Sequence, residues 1–161
     1  PRYKDYQFVV AAAPSRSMSD YSSYICGRES YVKVVFGQSY AVLRHAEAAV
    51  VNSGTASLET ALIGTPQVVA YKGAEINFLI AKQIIKIKYI SLGNLILNRT
   101  CFRELLQFYF TPENVLEEVI RMIEDTEYRE TMLAGYQEIR DALGGRGSSA
   151  AVAKAMIEDM R

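Results

Sequence analysis

Charge of one sign is missing: 18 Lys and Arg balance 18 Asp and Glu, so the formal net charge is zero. A chain without a basic field has nothing to hold a phosphate backbone along its length, which excludes duplex nucleic acid as the expected partner. Histidine is nearly absent. His45 alone stands on a short helical pattern ahead of a strand, and no Ser-His-Asp arrangement is built from it; it reads as a surface or capping residue. Two cysteines, Cys26 and Cys101, have no metal-ligand spacing and read as reduced packing thiols of a cytosolic protein. No apolar run reaches about 18 residues, so no membrane span is predicted. There is no signal-peptide pattern, no repeat, no low-complexity tract and no inter-domain linker. The chain opens on Pro1-Arg2-Tyr3, without methionine, and is read as a piece of a longer protein.

What remains is ordinary globular material. Of 161 residues, 50% are hydrophobic and 22% charged, enough for one sizeable core. Apolar runs at Gln7–Ala13, Tyr31–Phe36, Ala48–Val51 and Gln67–Tyr71 predict buried strands. Ser15–Ser23 reads as a loop or short helix, and Ser39–Ala46 as a short helix. A helix follows Thr55. Ile76, Leu79, Ile80, Ile84 and Ile87 keep helical spacing across Glu75–Lys86, and Lys88–Leu92 reads as a short strand. Strands apolar on both faces that alternate with helices predict an α/β fold, a parallel sheet with helices on both faces.

After residue 100 the pattern is helical only, giving an α/β core over 1–100 and a helical part over 101–161 of a single domain. Thr111-Pro112 reads as an N-cap followed by proline. Val115, Leu116, Val119, Ile120 and Ile123 form the predicted buried stripe of that helix, and Glu117-Glu118 and Glu124-Asp125 its solvated faces. Glu127–Leu143 carries Tyr128, Met132, Tyr136, Ile139 and Leu143 on one face, and Gly144-Gly145 ends it. Ser148 opens a last helix, Ser149–Met160.

The stretch Asn52-Ser53-Gly54-Thr55 joins a strand to a helix, with Glu59 one turn on. A sharp strand-to-helix corner leaves the first helical amides unpaired, and with the positive helix end they form an anion site. Gly54 permits close backbone approach, Ser53 and Thr55 add hydroxyls, and Glu59 shares their face and suits a diol such as a ribose. Such corners line the ligand crevice of open parallel sheets. A plainer reading stands beside this one: Thr55 caps its helix and Glu59 complements the dipole. No Walker loop and no dinucleotide fingerprint is present.

The segment SGTASLETALIGTPQVVAYK resembles the signature stretch of lipid-A-disaccharide synthases, enzymes of the two-domain glycosyltransferase-B architecture. The resemblance continues through IAKQIIKIKYISLGNLILNRTCFRELLQ, through TPENVLEEV and the closing helices, and FVVAAAPSRSM resembles a strand and loop of the same domain. It implies the carboxyl-terminal donor-binding domain, with the amino-terminal acceptor domain and the first strand of this domain absent. It implies transfer of 2,3-diacylglucosamine from UDP to 2,3-diacylglucosamine 1-phosphate, with inversion, without metal or other cofactor. Ser53, Gly54 and Thr55 would face the diphosphate and Glu59 the ribose. Gly37 and Gln38 would lie at the uracil, and Asn94, Arg99, Glu104 and Gln107 at the donor sugar or diphosphate. No catalytic base is assigned, and the piece alone is expected to be inactive.

Two departures from the family pattern stand out: Gly93 replaces a usual proline, and Asn98 a small residue, commonly glycine. They suggest a looser segment near Asn94. Phe78, Ala81 and Ile85 form a second apolar strip flanked by Lys82, Lys86 and Lys88, which suits an anionic membrane surface or packing on another domain or subunit. The last helix, deprived of a missing domain, would fray or pair with a second copy as a homodimer. The protein is thus expected to be cytoplasmic or peripheral on the inner membrane. Other readings are a different UDP-sugar glycosyltransferase or epimerase of this architecture, and a non-catalytic binding or assembly module.

Overall fold

A computed structural model describes residues 3–52, 54–73, 88–144 and 156–158. Its contacts divide the chain into two compact units, Pro1–Ala46 and Glu47–Arg161. The first holds β1 (Phe8–Ala12), α1 (Met18–Ile25), β2 (Val32–Phe36) and α2 (Ser39–His45). β1 and β2 are parallel, in register from Phe8 opposite Val32 to Ala12 opposite Phe36. Little of this unit is buried: Ala12 is enclosed, whereas Phe8 and Val9 are exposed. Ser15–Ser23 resolves into the entry of α1, whose start is set by Asp20 accepting the Ser17 amide at 2.8 Å. His45 bonds the Ala41 carbonyl of its own helix at 2.8 Å.

The second unit holds β3 (Ala49–Asn52), α3 (Thr55–Ile63), β4 (Gln67–Tyr71), α4 (Leu92–Leu97), β5 (Glu104–Leu106), a 3-10 turn (Gln107–Tyr109), α5 (Pro112–Glu124) and α6 (Thr126–Leu143). Its sheet has the order β3-β4-β5, all parallel, with Val51 opposite Val69 and Ala70 opposite Leu105. The expected α/β class, with parallel strands flanked by helices, is the one adopted. The core joins Val68 and Val69 of β4, Ala61 of α3, Phe102 and Leu105, Met122 of α5, and Met132, Tyr136 and Ile139 of α6. The α6 residues recur three and four apart and so share one face. Phe102 and Tyr136 meet edge-on, with centroids 6.0 Å apart. A fully buried aromatic of this kind is worth several kcal/mol, about 3–5 on truncation to alanine.

Five expectations about individual elements need correction. Helices are not alone after residue 100: β5 extends the sheet, and three residues were too few to leave a period-2 signature. Lys88–Leu92 is not a strand. Residues 88–91 form bends and α4 begins at Leu92, because the Glu104 carboxylate accepts the Ile90 and Ser91 amides at 3.0 and 3.1 Å. Leu116 is exposed, and Met122 and Glu118 take the enclosed positions of α5. Glu118 is therefore no solvated carboxylate. It accepts the Tyr128 hydroxyl and, at 3.2 Å, an Arg103 guanidinium N–H, so its buried charge is paired. On α6, Leu143 is exposed while Met132, Tyr136 and Ile139 are enclosed. Of Ser149–Met160, residues 156–158 are helical and the rest lies outside the described residues.

Both departures from the family pattern have packing reasons. A Cβ on Gly93 would lie 2.9 Å from the Phe102 ring, so glycine lets α4 seat on the core. Asn98 ends α4 at φ 49°, a left-handed cap that asparagine tolerates. The segment around Asn94 is therefore tightly held, contrary to the expected looseness.

Candidate functional site

The corner after β3 is built by an asymmetry between the two ends of α3. At the carboxyl end, Gly64 closes the helix with its amide on Thr60 O at 3.0 Å. Arg140 of α6 donates to the Ala61 and Leu62 carbonyls at 3.3 and 3.2 Å. A cation there complements the dipole. At the amino end no side chain of the described residues caps the helix. Gly54 is the N-cap, at φ 143° and ψ −159°, a region that essentially only glycine occupies. Its carbonyl accepts the Ser57 amide at 3.2 Å and the Ser57 hydroxyl at 2.8 Å, which pins the first turn and leaves the amides ahead of Ser57 uncapped. Among the described residues, chain neighbours aside, nothing lies within 4 Å of where a Gly54 Cβ would stand, so the side-chain direction at this corner is open. Thr55 is exposed and Glu59 half-buried one turn on. Ser53 lies outside the described residues.

Beside this corner, at the carboxyl ends of β3 and β4, is a concavity of about 380 Å³ lined by Val50, Val51, Asn52, Ala70, Tyr71, Lys72 and Phe110. Sequence reasoning named none of these as site residues. The available signal was positional: Asn52, Tyr71 and Lys72 sit where parallel strands end, which is where such sheets bind ligands.

The downstream residues turn inward. Asn94 is fully buried. Its Nδ2 donates to Phe102 O and to Glu104, both at 2.9 Å, and its Oδ1 accepts the Cys101 and Phe102 amides at 2.8 and 3.3 Å. Glu104 accepts that amide, the Ile90 and Ser91 backbone donors, and the Ser91 hydroxyl at 2.5 Å. The polar atoms of Asn94 and Glu104 are thus engaged within the chain, framing α4 and β5. Arg99 pairs with Glu138 of α6 at 2.6 Å, and that hydrogen bond holds its guanidinium more firmly protonated than usual. Gln107 is buried in the turn after β5. With its carboxamide oriented to satisfy both groups, it donates to Gly73 O and accepts from Gly73 N, each at 3.2 Å.

Gly37, at φ 68°, and Gln38, the N-cap of α2, are exposed in the first unit. The structure thus brings Gly54, Thr55 and Glu59 together on one helix, and Asn94 with Glu104 in one network. Phe78, Lys82, Ile85 and Lys86 lie outside the described residues. Among the described residues no helix is long and apolar enough to cross a membrane. Cys101 is enclosed, and burial pushes its thiol up to about 11, which is packing behaviour and not that of a nucleophile.

A family model described as lipid-A-disaccharide synthetase matches residues 2–157. The chain belongs to that family. Among its relatives, the lipid-A-disaccharide synthase of Anaeromyxobacter dehalogenans is 34% identical over 160 residues, covering 99% of this chain and 42% of the relative. That of Myxococcus xanthus is 36% identical over 152 residues, 94% of this chain and 40% of the relative. That of Trichlorobacter lovleyi is 34% identical over 142 residues, 88% and 37%. The chain therefore spans about two fifths of the length of these curated relatives.

Proposed function

We propose that this chain is the donor-binding part of a glycosyltransferase of lipid A biosynthesis. It would move 2,3-diacylglucosamine from UDP to 2,3-diacylglucosamine 1-phosphate, with inversion and release of UDP. Family membership over residues 2–157 supports the reaction, and the uncapped start of α3 carries the site. In this reading the amides at Gly54 and Thr55, with the Ser53 and Thr55 hydroxyls, take the diphosphate. They stabilise the charge that develops on the leaving group without a metal, as fixed dipoles do. Glu59 accepts from the ribose hydroxyls, and Gly37 and Gln38 contact the uracil. Arg99 contributes from the sugar side. Asn94 and Glu104 act by holding α4 and β5 in place, since their polar atoms are engaged within the chain. In this reading the chain supplies donor binding, and it is given no general base and no acceptor site.

Titration calorimetry with UDP tests this. Saturable binding that Glu59→Ala weakens about tenfold or more, the loss of a hydrogen bond to a charged group, supports the reading. No UDP binding by the wild type would leave a non-catalytic module of the same fold. The strip Phe78, Lys82, Ile85 and Lys86 is proposed to rest on anionic lipid; equal vesicle binding by wild type and a Phe78→Ser, Ile85→Ser variant would remove that part.

A further inference from the structure

Gln107 is the least expected residue of the second unit. It is a buried glutamine with a left-handed backbone, φ 50°, a conformation that non-glycine residues hold only where their surroundings dictate it. Its side chain grips both backbone groups of Gly73, at 3.2 Å each. Its own carbonyl accepts the Phe110 amide at 3.1 Å. Gly73 directly follows Tyr71 and Lys72, which line the concavity from one side, and Phe110 lines it too. One residue thus ties together two parts of the concavity wall. Lys72 is the one cationic side chain of that wall among the described residues, and no described acid forms an ion pair with it.

We propose that Lys72 supplies the cation that meets the diphosphate of the bound nucleotide, and that Gln107 is the positioning residue that holds Lys72 there by fixing Gly73. This rests on the donor-site reading and adds a binding residue and its support. Lys72 directly follows β4 and shares the concavity with Asn52, the end of the strand that leads into the start of α3, so an anion bound there would meet positive charge from both. A free ammonium on a flexible stem gains by having its backbone fixed before the anion arrives.

The experiment compares UDP with uridine, which lacks the phosphates, by calorimetry on the chain and its variants. Amide hydrogen exchange at Gly73 is read by NMR. The wild type should bind UDP more tightly than uridine. Lys72→Ala should cut UDP affinity about tenfold or more, as loss of a charge-assisted contact does, leave uridine affinity unchanged and leave Gly73 exchange slow. Gln107→Ala should speed Gly73 exchange and lower UDP affinity in the same selective way. Gln107→Asn, too short to reach Gly73, repeats this test with a smaller loss of packing. Wild type that binds UDP and uridine equally, or neither, overturns the donor-site reading and this inference with it. Wild type that prefers UDP, with Lys72→Ala unchanged, overturns this inference alone. Fast Gly73 exchange in the Gln107 variants with unchanged UDP affinity removes the positioning role.

Discussion

Replacing Gly54 by alanine tests the corner directly, and Gly64 at the other end of α3 is its control. Both glycines have positive φ, 143° and 98°. At Gly54 an added Cβ meets nothing within 4 Å, so the cost is conformational: about 1–3 kcal/mol for a side chain held in a glycine-only region. At Gly64 the cost is about 1–2 kcal/mol for a left-handed alanine, and the one near neighbour, the Arg140 Nη2 at 3.3 Å, is the end of a long side chain. The two variants should therefore lose similar stability. In a chain of 161 residues each kcal/mol lowers Tm by roughly 2–4 °C. Their effects on ligand should differ. Relaxation of the Gly54 backbone turns the uncapped amides away from the anion, and hydrogen bonds to a charged group are worth about 1.5–3 kcal/mol each. UDP affinity should then fall about tenfold or more in Gly54→Ala and stay within about twofold in Gly64→Ala. Urea unfolding and UDP titration on the same preparations supply both numbers. Equal losses of affinity would mean that the integrity of α3 matters and the corner does not. Unchanged stability and affinity in Gly54→Ala would refute the strained corner itself.

Two further outcomes concern Cys101. A Cβ on Gly135 would lie 2.4 Å from its Sγ, so Gly135→Ala should cost about 1–3 kcal/mol by overpacking, and adding Cys101→Ala should return at least about 0.5 kcal/mol of it; strict additivity in urea unfolding would show that the two do not touch. Burial raises the Cys101 thiol from 9.0 to about 11, so its contribution to stability is fully present below pH 9 and is lost as pH rises through 11. Tyr128 and Tyr136, raised chiefly by burial, add losses of the same sign at higher pH. Cys101→Ala should flatten the decline in unfolding free energy across pH 9 to 11, and an unchanged slope would assign that decline elsewhere.

The parallel α/β pattern was legible because four apolar runs each alternate with a helical pattern, and β4 and α3 fall where the sequence places them. What was not legible had physical reasons. β5 is three residues long, and its Glu-Leu-Leu pattern has no second apolar position on the alternate face. Lys88–Leu92, the approach to α4, was taken for a strand because Ile90 and Leu92 satisfy a two-residue period, while the determinant, the Glu104 carboxylate on the Ile90 and Ser91 amides, lies more than ten residues downstream. Glu118 was read as solvated because a carboxylate on an amphipathic helix usually is. Its partner Arg103 precedes β5 and its partner Tyr128 stands on α6, so only the tertiary fold could pair it. The corner at Gly54 was legible from residue type, whereas Lys72 and Phe110 became candidates only once a concavity joined strand ends far apart in sequence.

Glu104 and Gln107 sharpen what a polar signature residue means. A resemblance assigns both to the ligand, yet each spends its polar atoms on partners within the chain, backbone groups among them. Glu104 accepts two amides at the entry to α4 and two side-chain donors, and Gln107 accepts and donates at Gly73. Buried backbone groups outside regular structure must find partners, and here the ends of β4 and α4 find them in the side chains of one short strand and the turn after it. The same requirement operates at α3 with the opposite result. Arg140 satisfies its carboxyl end, while no side chain among the described residues caps its amino end. In a segment that supplies side-chain partners to its other irregular backbone, the exposed start of α3, uncapped among the described residues, is where we propose that a ligand supplies the missing partner.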